Sequence, residues 1–373
     1  MNLQPFEKQI HVTSPLLPDL SKVTKKLIEV WDSRWLTNVG CQHQLLEEKL
    51  KDVLKVSNLS LFNNGTIALI IACKILNLSG DVITTPFTFP ATPHALTWNN
   101  LNPIFCDIDP VSMNIDANKI ESMITPKTTG ILAVHVFGTP CDIDKIQEIA
   151  NKHNLKVIYD AAHAFQTEIN DVGIGNFGDI SMFSFHATKL FHTAEGGALT
   201  FKDNDLKTKI DLLKNFGIKN EEEIVIPGIN GKMNEIQAAI GLVVLDCIRD
   251  ERNKRKKLLD TYKICLKDVE GISFLENNPN IKNSYQYFVI RIDKELFGKS
   301  RDFVYKELKK YNIFTRKYFY PLCSNYKYYC KLPSASKSNL FIANKVVKEV
   351  LTMPFHGGLS VDDIEKICCI LTK

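Results

Sequence analysis

Short, almost wholly apolar runs alternate along this chain with amphipathic stretches, and that alternation sets the first structural expectation. Residues 59–62, 82–85, 104–107, 131–136, 157–160, 180–183 and 198–201 have the length and composition of strands buried on both faces. Between them, residues 45–53, 67–76 and 142–152 have the periodicity of helices. A longer helix is predicted after Asn234, with Ile236, Ala239, Ile240, Val243 and Val244 on one face. Strands that keep alternating with helices predict an α/β fold, a mostly parallel sheet covered on both sides. From about Gly271 the pattern changes to a smaller α+β unit, with a strand over 286–292, a helix over 301–311 and residues 346–352 leading into Pro354. A length of 373 residues exceeds a usual single core and predicts two domains, 1–246 and 247–373.

Candidate chemistry sits where these elements end. The strand 59–62 runs through Asn63-Asn64-Gly65-Thr66 into a helix, so free backbone N–H groups and the positive end of a helix dipole meet there. The arrangement suits a phosphate; it is also how an ordinary capped helix begins. Asp160 closes a strand at the edge where α/β sheets bind ligands, and a helix N-cap is its plain alternative. Phe87 and Phe89, between Pro86 and Pro90, could each be core or lie on a flat ring. After the strand 180–183 come Ser184, His186 and a lone Lys189 among small and apolar residues, then Glu195-Gly196-Gly197. A lysine in a partly dry site loses basicity and becomes fit for Schiff-base chemistry, whereas a solvated loop lysine does not.

Two other stretches carry less. Gly173-Ile174-Gly175-Asn176-Phe177-Gly178 matches a dinucleotide fingerprint in letters but precedes a strand, so it is expected to be a hairpin-like loop. The run Arg249, Arg252, Lys254, Arg255, Lys256 and Lys257 is expected to be a solvated helical face joining the domains. Tyr318-Phe319-Tyr320-Pro321, with Arg316 and Lys317, suits either a cleft wall or domain packing.

Composition narrows the class of protein. Hydrophobic residues make up 45% and charged residues 24%, which excludes disorder as the default. A net charge of +4 gives no basis for nucleic-acid binding. Ten irregularly spaced cysteines without a Cys-x-x-Cys pair predict packed thiols, with neither a disulfide framework nor a metal site. The first residues lack the apolar core of a signal peptide and no apolar run approaches ~18 residues. A cytoplasmic protein without a membrane span is the expectation.

A phosphate cradle at Gly65 and Thr66, an aromatic at Phe89, an acid at Asp160 and a lysine at Lys189 are together what pyridoxal 5'-phosphate requires. This cofactor works as an electron sink when a carboxylate keeps its pyridine nitrogen protonated and a lysine holds its aldehyde as an imine. At this point the sequence resembles the DegT/DnrJ/StrS family of pyridoxal-phosphate-dependent nucleotide-sugar aminotransferases over nearly its whole length. The resemblance is carried by Asn64-Gly65-Thr66-Ile67-Ala68-Leu69, Pro86-Phe87-Thr88-Phe89-Pro90-Ala91-Thr92, Tyr159-Asp160-Ala161-Ala162-His163-Ala164, Phe183-Ser184-Phe185-His186-Ala187-Thr188-Lys189 and Gly228-Ile229-Asn230-Gly231-Lys232-Met233.

The resemblance implies the aspartate aminotransferase fold (fold type I), with a large cofactor domain, a smaller C-terminal domain and a homodimer whose active sites lie at the subunit interface. It implies that Lys189 bonds the cofactor, Asp160 pairs with the pyridinium nitrogen, His163 lies near the phenolic oxygen and Phe89 stacks on the ring. Gly65, Thr66 and Ser184 would hold the phosphate, with Asn230 reaching it from the neighbouring subunit; His186, Lys232 and Tyr318 would contact substrate. Asn64 stands where serine is common, and Gln166 where a small residue is usual. His-Ala-Thr-Lys at the lysine is similar to members that aminate the sugar's fourth carbon. The implied reaction takes dTDP-4-dehydro-6-deoxy-D-glucose to dTDP-4-amino-4,6-dideoxy-D-glucose with L-glutamate as donor, for O-antigen or related surface sugars. A UDP-linked 4-ketosugar, a 3-ketosugar and a non-catalytic regulatory role remain as alternatives.

Overall fold

The computed structural model describes residues 4–276 and 278–373. Seven strands form one sheet in the order Asn58–Phe62, Gly197–Phe201, Ile180–Ser184, Lys156–Asp160, Thr128–Val134, Asp81–Thr84, Asn102–Phe105. From Ile180–Ser184 to Asn102–Phe105 every pairing is parallel. Gly197–Phe201 alone runs against both of its neighbours. Alternate side chains enter different cores: Ile131, Ala133, Val157 and Tyr159 pack on one face, Leu132 and Ile158 on the other. Burial on both faces is why these strands read as continuous apolar runs.

Two strands begin more than one residue earlier than their patterns suggest: Thr128–Val134 starts three residues before the expected 131, and the edge strand starts two before its expected 104. Asn102–Phe105 takes in Pro103 and ends two residues before the expected 107. It is an edge strand, where a residue without an N–H can be accommodated. The Gly173 to Gly178 stretch closes a short hairpin, Glu168–Ile169 with Val172–Gly173, and passes through a 3₁₀ turn before the strand at Ile180.

The helix Glu235–Leu266 is continuous for 32 residues and opens on a capping box between Asn234 and Gln237. Leu242, Val244 and Ile248 belong to the core beneath the large sheet. Leu258, Leu259, Tyr262 and Leu266 belong to a second core, on the antiparallel sheet Ile272–Phe274, Phe288–Ile292, Val350–Met353. Ile10–His11 pairs in parallel with Ile313–Phe314, so the N-terminal segment joins the smaller unit.

Arg249, Lys254, Lys256 and Lys257 form the solvated face expected of the charged run, but Arg255 and, in part, Arg252 turn inward. Arg255 is 1% exposed; its Nε donates to Glu251 at 2.6 Å and its Nη1 to the Tyr285 carbonyl at 3.1 Å. Arg252 donates to the Asn283 carbonyl at 2.8 Å. Glu251, Arg255, Leu258 and Tyr262 recur at helical spacing, so the two charged residues fall on the buried face and satisfy each other there.

Candidate active site

Strand ends gather the candidate residues along one edge of the sheet. Phe62, Ser184 and Gly197 lie side by side, because Gly197 pairs with both of the others. Asn64 caps the helix Gly65–Ile75, its Oδ1 accepting from the Ile67 amide at 2.9 Å. An amide oxygen thus does the capping work of the more usual serine. A β-carbon on Gly197 would stand 2.7 Å from the Gly65 nitrogen, and one on Gly65 would stand 3.2 Å from Ser184 Cβ. Gly197 is therefore required for the strand start and helix start to approach, with Gly65 tightly packed beside it, which leaves the backbone of the cradle bare for an anion. Thr66 is exposed and Ser184 half-buried at this cradle.

Asp160 is held rigidly at the next strand end. Its Oδ2 accepts from Thr92 Oγ1 at 2.8 Å and its Oδ1 from the Ala162 amide at 3.1 Å. Burial raises its pKa, against which the Ala162 and Thr92 hydrogen bonds and the charge of Lys189 act.

Lys189 occupies a loop pinned by buried neighbours on both sides. Phe185, Leu190 and Phe191 are all in the core, with Phe185 and Phe191 edge to face at 4.8 Å and Phe165 stacked on Phe191 at 4.9 Å. The Lys189 amide donates to the His186 carbonyl at 2.8 Å. Desolvation lowers the Lys189 pKa to about 8, with Asp160 pulling in the opposite direction. The neutral amine, the nucleophilic state, is therefore far better populated near pH 7 than for an ordinary lysine.

His163 lies in an aromatic layer drawn from both units. Its ring is nearly parallel to Phe319 at 5.9 Å and to Phe137 at 6.3 Å, and meets Tyr287 edge-on at 5.0 Å. Burial and the Lys189 charge hold the imidazole neutral, its pKa well below the ordinary value. Its Nδ1 is buried without a protein partner. Lys189 Nζ stands 6.0 Å from the Tyr287 ring centre, and Tyr318 packs edge-on against the same ring at 5.7 Å. Tyr318 is thus connected to the lysine through Tyr287.

The remaining predicted residues are less closely joined. Phe89 is 57% exposed beside the Asp160 partner Thr92, whose amide donates to the Phe89 carbonyl at 3.2 Å. His186 is exposed, with Nδ1 2.8 Å from Thr188 Oγ1 and Nε2 3.6 Å from Glu195. Lys232 donates to Asn215 at 2.5 Å and lies 5.2 Å from the Phe216 ring centre. Asn230 is exposed, its carbonyl 3.5 Å from Asn63 Nδ2 of the same chain. Thr92, Phe137, Gln286, Tyr287 and Phe319 are site-forming residues that the motifs did not assign a role. Two of them lie in stretches singled out above, Thr92 in Pro86 to Thr92 and Phe319 in the Tyr318 to Pro321 cluster; Phe137, Gln286 and Tyr287 carried no such signal.

These groups fit the parts of pyridoxal phosphate. A bare cradle suits the phosphate, the Asp160 carboxylate suits a ring nitrogen, the unpartnered His163 Nδ1 suits a polar ring substituent and the depressed lysine suits an aldehyde. Among the described residues, no helix is long and apolar enough to cross a membrane.

Known proteins give the same picture. A dTDP-4-amino-4,6-dideoxy-D-glucose transaminase from Escherichia coli is 48% identical over 368 residues, 98% of either chain. The structure of DesI with its TDP-sugar product superposes with a TM-score of 0.94 at 33% identity, covering 99% of this chain and 93% of that one. Spr1654 from Streptococcus pneumoniae, solved in a PLP form, gives a TM-score of 0.89 at 25% identity, over 97% and 98% of the two chains. The family model for DegT/DnrJ/EryC1/StrS aminotransferases matches residues 20–372. Motif order, site geometry and full-length likeness agree: the chain belongs to the DegT/DnrJ/EryC1/StrS aminotransferase family.

Proposed function

We propose that this protein is a pyridoxal-phosphate-dependent aminotransferase that converts dTDP-4-dehydro-6-deoxy-D-glucose to dTDP-4-amino-4,6-dideoxy-D-glucose, using L-glutamate. The observation that carries this reading is a desolvated Lys189 electrostatically coupled to a buried, doubly hydrogen-bonded Asp160 at the strand ends. The full-length transaminase relative supports the choice of sugar.

When bound, the cofactor supplies an electron sink for the charge left when a carbon next to nitrogen loses its proton. Lys189 Nζ would hold the aldehyde carbon at rest. With a donor bound, the free Lys189 amine would take the α-proton of glutamate as general base and pass it on as general acid; in the reverse direction it would deliver a proton to the sugar's fourth carbon. Asp160, its carboxylate aimed by Thr92 and the Ala162 amide, would keep a proton on the ring nitrogen. Gly65, Thr66 and Ser184 would hold the phosphate, Phe89 would cover the ring, and neutral His163 would lie near the phenolic oxygen. His186, Lys232 and Tyr318 contact the sugar nucleotide.

The active assembly is a homodimer in the cytoplasm, with Asn230 of one subunit completing the phosphate site of the other. Supporting this, Phe216, Ile218, Ile224, Val225 and Ile229, in the stretch before Asn230, are between 39% and 73% exposed in the single chain. The division at residues 246 and 247 into a cofactor-binding and a smaller domain belongs to the same reading, as does a product destined for O-antigen or related surface sugars. The test is to incubate the holoenzyme and L-glutamate with dTDP-linked 4-ketosugar, UDP-linked 4-ketosugar or a 3-ketosugar, and follow 2-oxoglutarate and aminosugar by mass spectrometry. Amination of the dTDP-linked 4-ketosugar in preference to the others is expected; turnover confined to another acceptor contradicts the assignment.

A further inference from the structure

Gln286 lies far from every motif discussed, yet its side chain grips the peptide on both sides of Lys189. Its Oε1 accepts from the Leu190 amide at 2.7 Å and its Nε2 donates to the Thr188 carbonyl at 3.1 Å. The residue is 1% exposed, and its bond to the Leu190 amide is buried, whereas the bond to the Thr188 carbonyl is partly buried. Only a planar amide of this length offers an acceptor and a donor at once to a carbonyl and an N–H two residues apart.

The clamp is itself anchored in the smaller unit. Gln286 lies two residues before the strand Phe288–Ile292, next to Tyr287, whose ring faces both Lys189 and His163. The Tyr285 carbonyl is held by Arg255, and the Asn283 carbonyl by Arg252, both on the long helix. Arg255 is locked by Glu251, whose Oε1 also accepts from the Gly357 amide at 2.9 Å. A continuous set of hydrogen bonds therefore runs from the smaller unit to the backbone of the lysine.

We propose that Gln286 is a positioning residue for Lys189: it fixes the loop so that the amine meets the reacting carbon at the distance and angle proton transfer needs. This inference rests on the aminotransferase reading above. Loss of the clamp leaves the lysine and its chemistry in place but frees the peptide that carries it, so the proton-transfer step should suffer while donor binding should not. A misplacement of about 1 Å in such a step is worth on the order of a hundredfold in rate.

The experiment compares wild type with Gln286→Met, which keeps length and burial without either hydrogen bond, and Gln286→Glu, which keeps the acceptor and loses the donor. Single-turnover reaction of the cofactor-loaded protein with L-glutamate, followed in the visible spectrum, separates the rate constant from the apparent donor affinity. Hydrogen exchange of the Leu190 amide in cofactor-free protein is the second readout. Expected are a fall of about 10- to 100-fold in the rate constant for Gln286→Met, a smaller fall for Gln286→Glu, donor affinity within about twofold, and faster exchange at Leu190. Variants that match wild type in rate, or lose donor affinity in proportion to rate, overturn the clamp alone. A wild type that does not react with glutamate overturns the aminotransferase reading and this inference with it.

Discussion

Thr92 Oγ1 donates to Asp160 Oδ2 at 2.8 Å, and the two residues are 68 apart in sequence. Thr92 opens the helix Ala91–Trp98 and Asp160 ends a central strand, so this bond ties the edge of the Phe89 loop to the acid. Hydrogen bonds to charged groups contribute about 1.5–3 kcal/mol. Thr92→Val should therefore weaken pyridoxal phosphate binding roughly tenfold to a hundredfold, and Thr92→Ser should restore most of it. Equilibrium dialysis reads both; unchanged affinity in Thr92→Val would mean that the bond does not aim the carboxylate.

Lys189 gives the cofactor-free protein a pH signature. Its folded pKa is about 8, below the ordinary 10.5. Between those values the unfolded chain binds the extra proton, so stability rises with pH across that window and the full penalty is present below it. Lys189→Met should raise the melting temperature most at pH 7, with the advantage shrinking by pH 10. Thermal melts at several pH values check this. An advantage that grows with pH would reverse the assigned shift.

The cradle should tolerate no β-carbon on Gly197, where the added atom would meet the Gly65 nitrogen at 2.7 Å and the Asn64 carbonyl carbon at 2.8 Å. Gly197→Ala is expected to cost about 1–3 kcal/mol of stability in denaturant unfolding, the usual scale for overpacking. It should also lower phosphate-ester affinity.

Ile224 is 73% exposed in the stretch leading to Asn230. A carboxylate there would place a charge in the proposed subunit contact. Ile224→Asp is expected to shift the protein toward monomer in sedimentation velocity and to lower cofactor affinity in parallel. A dimer that persists unchanged would place the contact elsewhere.

The sequence made the scaffold of the site legible because its chemistry sits on buried strands. Asp160 and Ser184 end runs of apolar residues, and Gly65 lies between a strand and an apolar helix; such patterns survive without tertiary context. What could not be read depends on contacts distant in the chain. Gln286 is 96 residues from Leu190, Phe137 looks like any core aromatic, and the choice between cleft wall and domain packing for Phe319 is decided only when both rings appear beside His163. Arg252 and Arg255 read as solvated because a charge run carries no mark of which turn faces inward. The neighbouring Leu258 and Tyr262 at helical spacing were the signal. Pro103 hid the start of an edge strand, since proline argues against a strand only where both sides must pair.

The central claim is that Lys189 bonds pyridoxal phosphate and drives transfer of an amino group from glutamate. The visible spectrum of purified protein loaded with the cofactor, recorded before and after L-glutamate beside Lys189→Ala, tests it directly. A lysine-dependent band that glutamate converts to the pyridoxamine form in wild type alone is the result predicted. No such band, or one indifferent to both glutamate and the substitution, would contradict the account.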